Sequence, residues 1–292
     1  MIDRLDEKTR KLIRRSQRNE ITEHLVYQRL ADLAKDDHNR GVLRKISDEE
    51  KEHYDFWKGI SGEDVEPSGL KIWWYCLISH LLGITFGMKL MERGEEEAQS
   101  VYGKISEVVP EVIQIIEDED RHELELVQMV DEERLKYVGS IVLGLNDALV
   151  ELTGALAGFT FAFQDSRIVA MAGLITGIAA SMSMAASEYL QARTEESEKK
   201  PMKASVYTGS AYLVTVAMLI LPFLLLDDMY IALTWTILNA VIVILAFTYY
   251  ISVVKDVSFK SRFLEMITIS LGIAGISFLI GSLVRLAFGV DI

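Results

Sequence analysis

The sequence predicts an all-α protein in which a four-helix bundle is followed by a five-helix transmembrane domain. Charge is unevenly spread, since residues 1–138 hold 31 acids and 21 bases whereas residues 139–292 hold 12 acids and 9 bases. The second part contains five long apolar stretches, and apolar residues of the first part recur at helical spacing. We therefore predict two domains, a water-soluble one at residues 1–137 and a membrane domain at residues 138–292.

The net charge of −13 restricts the classes of partner. Nucleic-acid binding needs a basic surface, so this balance argues against nucleic acid, whereas an acidic chain suits cation capture. The single cysteine, Cys76, excludes a disulfide framework or a thiolate metal cluster within one chain. The N-terminal segment is too charged for a signal peptide, and we expect the N-terminus to be cytoplasmic.

Four helices are predicted in the first domain, near residues 4–37, 39–60, 69–105 and 108–137. Four helices with short connections are typical of an antiparallel bundle. The stretch from Leu70 to Leu90 is ambiguous, because it is nearly apolar and can be read as a sixth span or as a helix that lies on or dips into the membrane surface. Trp73 and Trp74 suit a membrane interface. We favour the surface helix, since a span here would put the following helix on the wrong side.

The second domain is predicted to cross ~30 Å of hydrocarbon five times. The spans lie near residues 139–163, 168–190, 205–226, 229–254 and 263–288. Lys and Arg are concentrated in the second and fourth breaks, from Arg193 to Lys203 and from Lys255 to Arg262. By the positive-inside rule these breaks face the cytoplasm, which places the N-terminus inside and the C-terminus outside. Small residues are frequent in the first two spans, and we expect those helices to form the packed centre.

Two Glu-x-x-His motifs give the first domain its candidate metal ligands. Glu50 and His53 fall on the second predicted helix, and Glu119 and His122 fall on the fourth. At this spacing both side chains project from one helix face, so each motif can give a carboxylate and an imidazole to one ion. Di-iron bundles use this scheme, with one further Glu from each of the other two helices.

The further carboxylates are expected on the first and third helices. Glu20 precedes Tyr27 by seven residues, and Glu95 precedes Tyr102 by the same interval. The order Glu-x6-Tyr and then Glu-x-x-His thus occurs twice, as an internal duplication of a helix pair would produce. Glu92, one turn before Glu95, is a candidate for an extra or alternating ligand. Carboxylate and imidazole ligands without thiolate suit iron or manganese.

At these residues the first domain resembles the rubrerythrin branch of the ferritin-like superfamily, over roughly residues 10–135. The resemblance implies a ferritin-like bundle with a carboxylate-bridged di-iron centre as cofactor, and ferroxidase or peroxidase chemistry. Rubrerythrins usually carry a four-cysteine domain that delivers electrons, which a chain with one cysteine cannot supply. The interval from Glu95 to Glu119 is also shorter than that from Glu20 to Glu50.

Ionisable residues within the spans are the candidate transport residues, because a charge at bilayer depth costs ~2.5–3.5 kcal/mol. The first span contains Asp147 and Glu151, one helical turn apart, and the second contains Met184 and Glu188 at the same spacing. A face with carboxylates and a thioether can hold a divalent cation such as Fe²⁺. The carboxylates can also release protons when metal binds.

The segments GLNDALVELTGALAG and SMSMAASEYLQA, together with the five spans, resemble the vacuolar iron transporter family, which includes the yeast vacuolar iron and manganese carriers. The resemblance covers nearly all of residues 138–290. It implies a homodimer that exports Fe²⁺ from the cytoplasm by proton antiport, with Asp147 and Met184 lining the path and Glu188 near its cytoplasmic entrance. This chain departs from the family in having Ala148 where Gly is more frequent, and a short loop in place of a long Glu-rich insert.

These observations together predict an integral membrane exporter of Fe²⁺, or of Mn²⁺, whose first domain collects or senses the metal. The alternative is a membrane-anchored di-iron ferroxidase or peroxidase, so the sequence leaves open whether the protein is also an enzyme. Five spans with buried acids exceed what an anchor needs, which favours the transporter.

Overall fold

The computed structural model describes residues 7–34, 36–106, 109–128, 136–194 and 199–288, apart from the side chains of residues 92, 94–101, 103, 104, 127, 128 and 288. All regular structure within these ranges is helical. The chain divides into two compact units, Met1–Glu132 and Glu133–Ile292, and each is described by itself. We call them the N-terminal unit and the membrane unit.

Five described helices form the N-terminal unit. They are α1 (Glu7–Leu33), α2 (Asp37–Ser61), α3 (Gly69–Leu82), α4 (Ile84–Ser106) and α5 (Val112–Gln128). Helix α1 packs against α2, α3 and α4, and α5 packs against α2 and α4. The helices α1, α2, α4 and α5 therefore enclose a common interior.

The third predicted helix is two helices, because the chain turns at Gly83. This residue has a φ of 105° and a ψ of 151°, a conformation that is essentially restricted to glycine. Helix α3 has 14 residues and a length of about 21 Å, which is too short to cross ~30 Å of hydrocarbon. The stretch from Leu70 to Leu90 is therefore not a single sixth span.

Helix α2 carries one of the two Glu-x-x-His motifs, and both of its ends are capped. The Asp36 side chain accepts a hydrogen bond from the Asn39 amide at 2.9 Å, as expected of an N-cap. Gly62 follows the helix with a φ of 72°, and its amide donates to the Lys58 carbonyl. These caps fix the boundaries of the helix that positions Glu50 and His53.

Large apolar side chains fill the interior of the N-terminal unit in two clusters. One cluster includes Val26, Leu30, Leu43, Ile46 and Met91, and the other includes Ile13, Trp57, Tyr102, Ile105 and Val112. Five buried side chains that can carry charge belong to neither cluster: Glu20, Glu50, His53, Glu119 and His122. Burial of such groups is costly unless they are paired or hold a metal.

The membrane unit contains five described helices, and each is long and apolar enough to cross a membrane. They are α6 (Val138–Phe163), α7 (Ser166–Thr194), α8 (Pro201–Leu225), α9 (Met229–Val254) and α10 (Phe259–Phe288). The predicted number of spans is thus found among the described residues. The helices begin and end within a few residues of the predicted positions.

Close contacts between small residues hold α6 at the centre of the membrane unit. A Cβ on Gly281 of α10 would overlap the carbonyl oxygen of Gly158, and a Cβ on Gly144 would overlap the carbonyl oxygen of Thr208 on α8. Small residues permit such approach where no hydrophobic effect drives helices together. Helix α6 packs most extensively on α10, whereas α7 packs mainly on α8. The two glycine-rich spans therefore meet other helices more than each other.

Candidate metal sites

Four buried ligand groups converge inside the N-terminal unit. Each of Glu20, Glu50, His53 and Glu119 offers one ligand atom, and these atoms all lie within 4.8 Å of one another. Helices α1, α2 and α5 supply them, so residues far apart in sequence share one centre. This is the separation expected of groups that can bind a common ion.

His122 extends the cluster to a second imidazole. Its Nδ1 lies 3.1 Å from Glu50 Oε1 and 3.7 Å from Glu119 Oε2. The Nδ1 of His53 lies 3.5 Å from Glu50 Oε2 and 3.6 Å from Glu119 Oε1. The two rings are 5.8 Å apart between centroids, and Glu50 and Glu119 each lie near the Nδ1 atoms of both rings. The arrangement provides one imidazole and a share of two carboxylates for each of two ions.

The atoms at the centre of this cluster are buried and have no hydrogen-bond partner among the residues that the structure describes. They are Glu20 Oε2, both Glu50 oxygens, Glu119 Oε2 and the Nδ1 atoms of His53 and His122. An unpartnered buried polar atom costs roughly 1–3 kcal/mol, so six of them in one place require an explanation. Carboxylate oxygens and imidazole nitrogens are ligands of iron and manganese, and the donor set therefore fits a pair of such cations.

The outer atoms of the same side chains are firmly held. Glu20 Oε1 accepts hydrogen bonds from Trp57 Nε1 at 3.0 Å and from the Tyr102 hydroxyl at 2.6 Å. Glu20 is thereby left with one free oxygen, which faces the cluster. Tyr102 lies on α4, and the fourth helix thus also contributes to the site.

Each histidine is oriented by the acid that directly precedes the glutamate of the other motif. His122 Nε2 lies 2.7 Å from Glu49 Oε2, and His53 Nε2 lies 3.4 Å from Asp118 Oδ2. A carboxylate on Nε2 fixes the ring and leaves Nδ1 as the ligand atom. Glu49 and Asp118 were not predicted from the sequence, although an acid directly precedes the glutamate of both motifs.

The pKa shifts reflect a cluster that holds excess negative charge. Burial, followed by the charge of Glu119, raises the pKa of Glu50 well above its ordinary value. Burial opposes protonation of His122, but contacts with Glu119 and Glu50 raise its pKa to about 11. Similar contacts raise the pKa of His53. Burial also acts on Glu119, yet contacts with both histidines lower its pKa. Without a cation the cluster therefore retains protons, which metal would displace.

Glu23 is a further acid near the cluster that sequence reasoning missed. Burial raises its pKa, and the charges of Glu50, Glu20 and Glu119 raise it further, so its carboxylate lies within electrostatic reach of the centre. It follows Glu20 by one helical turn, as Glu95 follows Glu92. This repeated spacing was the signal that could have identified it.

The predicted ligands Glu92 and Glu95 lie on α4, but their side chains fall outside the described part of the structure. Their role as metal ligands stays a prediction. The described ligands from α1, α2 and α5 come together independently of them.

In the membrane unit, three of the four predicted transport residues contact neighbouring groups. Glu151 accepts a hydrogen bond from the Tyr212 hydroxyl at 2.8 Å, and buried Glu188 accepts one from Ser140 Oγ at 2.5 Å. Met184 is half-buried and packs against the apolar core of the unit.

Asp147 differs from these residues. It is half-buried on α6 and makes no hydrogen bond or ion pair with any residue that the structure describes. The neighbouring Asn146 has a buried Oδ1 that also lacks a partner among the described residues. Unsatisfied polar groups inside an apolar helix are expensive, which marks this turn of α6 as a candidate functional position.

The fold and these positions define a helical membrane protein with carboxylates inside its spans. The model of the VIT family, the vacuolar iron transporters, matches residues 138–197 and 191–282. A VIT-family domain is therefore present, and it indicates an integral membrane protein that transports iron or manganese. Comparison of the chain with curated proteins and with solved structures found no match.

Proposed function

We propose that this protein exports Fe²⁺, or Mn²⁺, from the cytoplasm in exchange for protons. The observation that carries the proposal is Asp147, a half-buried carboxylate without a partner among the described residues, inside the matched VIT-family domain. A carboxylate left unsatisfied in an apolar helix is suited to bind a passing cation. Met184 supplies a thioether on the next span for a borderline-soft ion such as Fe²⁺.

Glu151 and Glu188 are proposed to carry the exchanged protons. Each accepts a hydrogen bond from a hydroxyl, Tyr212 for Glu151 and Ser140 for Glu188. A hydroxyl can donate to the ionised carboxylate and can accept from the protonated one, so both states are accommodated. Proton release on metal binding would then couple the metal flux to a pH gradient.

The N-terminal unit is proposed to be a ferritin-like di-iron bundle on the cytoplasmic side. Glu20, Glu50, His53, Glu119 and His122 would hold the metal, with Glu92 and Glu95 as further ligands from α4. Iron bound there would supply ferroxidase-type redox chemistry. The convergence of buried, unpartnered ligand atoms supports this assignment. The bundle would collect metal for the membrane unit, and two such chains would form the homodimer.

The transport proposal is tested by metal flux into proteoliposomes that contain the full-length protein. Fe²⁺, Mn²⁺ and Zn²⁺ are compared under anaerobic conditions, with and without an imposed pH gradient, and an internal indicator dye reports entry. We expect flux of Fe²⁺ or Mn²⁺ that accelerates when protons run in the opposite direction. Metal flux whose rate does not depend on the pH gradient would exclude antiport, and absence of flux would exclude transport.

Membrane-anchored ferroxidase activity is the second candidate function. It is favoured by Tyr102, whose hydroxyl lies 2.6 Å from Glu20 inside the enclosed cluster and would place an oxidisable ring next to bound iron. Oxygen or peroxide consumption on addition of Fe²⁺, measured on the same preparation, tests it. Consumption without any flux would favour the enzyme over the transporter.

A further inference from the structure

Helix α3 presents an apolar face that no described part of the N-terminal unit covers. Leu70, Trp73, Trp74 and Leu81 are 77%, 57%, 50% and 62% exposed, and they recur at helical spacing. The opposite side of α3 packs into the unit through Ile72, which is buried in the apolar core. An exposed, continuous apolar face of this kind marks an interaction surface.

A basic groove adjoins the first turn of this face. Its lining consists of Lys11, Arg14, Arg15, Arg18, Asn19, Ser68 and Lys71. Arg14 is paired with Glu63 at 2.7 Å. Arg15 and Arg18 are exposed and form no ion pair with the residues that the structure describes. The basic lining contrasts with residues 1–138 as a whole, which carry ten more acids than bases.

We propose that the α3 face and the basic groove dock the N-terminal unit onto an anionic lipid bilayer. Tryptophan and leucine enter the boundary between headgroups and acyl chains, while Arg and Lys bind the lipid phosphates. Basic residues near an anionic surface strengthen binding electrostatically, and apolar burial adds to this. The remaining acidic surface is repelled by the same lipids, which selects the face that docks.

Two observations favour lipid over a second copy of the chain. Symmetric pairing through α3 would bring two basic grooves to the rim of one interface, where like charges repel. The chain is also anchored next to a bilayer, since only nine residues separate Gln128, the end of α5, from Val138, the first residue of a span. Such a tether keeps the local concentration of lipid surface high. The docking does not depend on metal transport.

Tryptophan quenching by brominated lipids in nanodiscs tests the proposal on the full-length protein. The chain has four tryptophans, and Trp57 is fully buried while Trp235 lies on the span α9. In a Trp235→Phe background, we expect brominated anionic lipids to remove a large part of the Trp73 and Trp74 emission. The Trp73→Phe, Trp74→Phe derivative of this background reports the contribution of Trp57 alone.

Two matched controls separate docking from general proximity to lipid. A single tryptophan introduced by Glu52→Trp, on an exposed position of α2, should escape quenching in the background that lacks Trp73, Trp74 and Trp235. Arg15→Gln with Arg18→Gln should reduce quenching in anionic discs, whereas Arg29→Gln with Arg44→Gln, also exposed, should not. Zwitterionic discs or high salt should also reduce quenching, as Arg15→Gln with Arg18→Gln is expected to do.

The proposal is overturned if the Trp235→Phe protein is quenched no more than its derivative without Trp73 and Trp74. A blue-shifted emission that lipid bromine leaves unchanged would instead indicate that a second copy covers α3. Equal quenching in anionic and zwitterionic discs would overturn the role of the basic groove.

Discussion

Carboxylates on the helices of the two units of this protein are satisfied differently. In the N-terminal unit, Glu20, Glu50 and Glu119 face two histidines, and several of their inward atoms form no hydrogen bond with the described residues. In the membrane unit, Glu151 and Glu188 each accept a hydrogen bond from a hydroxyl on a neighbouring helix. The first arrangement demands a positive charge and suits a metal that stays bound. The second tolerates gain and loss of a proton and suits an ion in passage.

The apolar packing of the two units differs as well. Trp57, Tyr27 and Tyr102 fill the interior of the N-terminal unit, and side chains of this size hold the ligands in place. In the membrane unit, contacts between glycines and backbone atoms bring α6 and α10 together. Hydrophobic burial stabilises the first unit, whereas close packing must do so in lipid.

Loss of Glu50 should have the largest effect on the N-terminal site. Its two oxygens lie 3.1 Å from His122 Nδ1 and 3.5 Å from His53 Nδ1, so Glu50→Gln removes a charged ligand shared by both halves of the cluster. We expect loss of tightly bound iron or manganese, measured as metal per chain after dialysis. Glu52→Gln, an exposed change on the same helix, should leave the metal content unchanged. Equal metal content in the two variants would exclude the cluster as the binding site.

Loss of the acids that orient the histidines should have a smaller effect on the same site. Glu49→Gln with Asp118→Asn frees both imidazole rings but leaves every inward-facing ligand atom in place. Changes of this kind typically weaken metal binding by about 10–100-fold. Competition with a chelator measures the affinity. A change in affinity as severe as that of Glu50→Gln would show that these acids are ligands themselves.

Two glycines of α10 provide a matched pair that tests how closely α6 and α10 pack in the membrane unit. A Cβ on Gly281 would overlap the carbonyl oxygen of Gly158, whereas a Cβ on Gly272 would meet nothing within 4 Å. Gly281→Ala should lower the stability of the unit by about 1–3 kcal/mol. Gly272→Ala should be neutral or should raise stability by up to about 1 kcal/mol. Thermal unfolding in detergent measures both, and similar unfolding temperatures would contradict the close contact between α6 and α10.

The stability of the metal-free N-terminal unit should fall moderately as pH rises. The folded pKa of His122 is about 11, above the unfolded value of ~6.5, because Glu119 and Glu50 stabilise its charged form. The resulting stability is fully present below pH ~6.5 and is lost as pH rises toward the folded pKa. Unfolding of chelator-treated protein, followed by Trp57 fluorescence in a background without the other tryptophans, measures this trend. Mn²⁺ should reverse it, and a metal-free stability that increases with pH would contradict the assignment.

The sequence predicted what depends on local spacing. The Glu-x-x-His motifs placed Glu50 with His53 and Glu119 with His122 on two helices, and the structure brings both pairs to one centre. The apolar stretches predicted five membrane-spanning helices close to their described bounds. Both patterns repeat within one helix, so a single helix suffices to define them.

Features that depend on contacts between distant segments were not predicted. The hydrogen bond from Trp57 to Glu20 joins residues 37 positions apart, and that from Tyr212 to Glu151 joins residues 61 positions apart. Glu49 and Asp118 are visible as acids, but only the packing of α2 against α5 shows that each contacts the histidine of the other motif. The turn at Gly83 was also missed, because the apolar residues on either side of it continue a helical pattern.

Transport through the membrane unit is tested most directly by Fe²⁺ flux through an Asp147→Asn variant in proteoliposomes. The variant keeps the size of the side chain but removes the charge, and Asp227→Asn, in the exposed break between α8 and α9, is the matched control. We predict that Asp147→Asn abolishes flux while the metal content of the N-terminal unit stays unchanged, and that Asp227→Asn transports normally. Full flux through Asp147→Asn would contradict the proposal that this carboxylate carries the metal across the membrane.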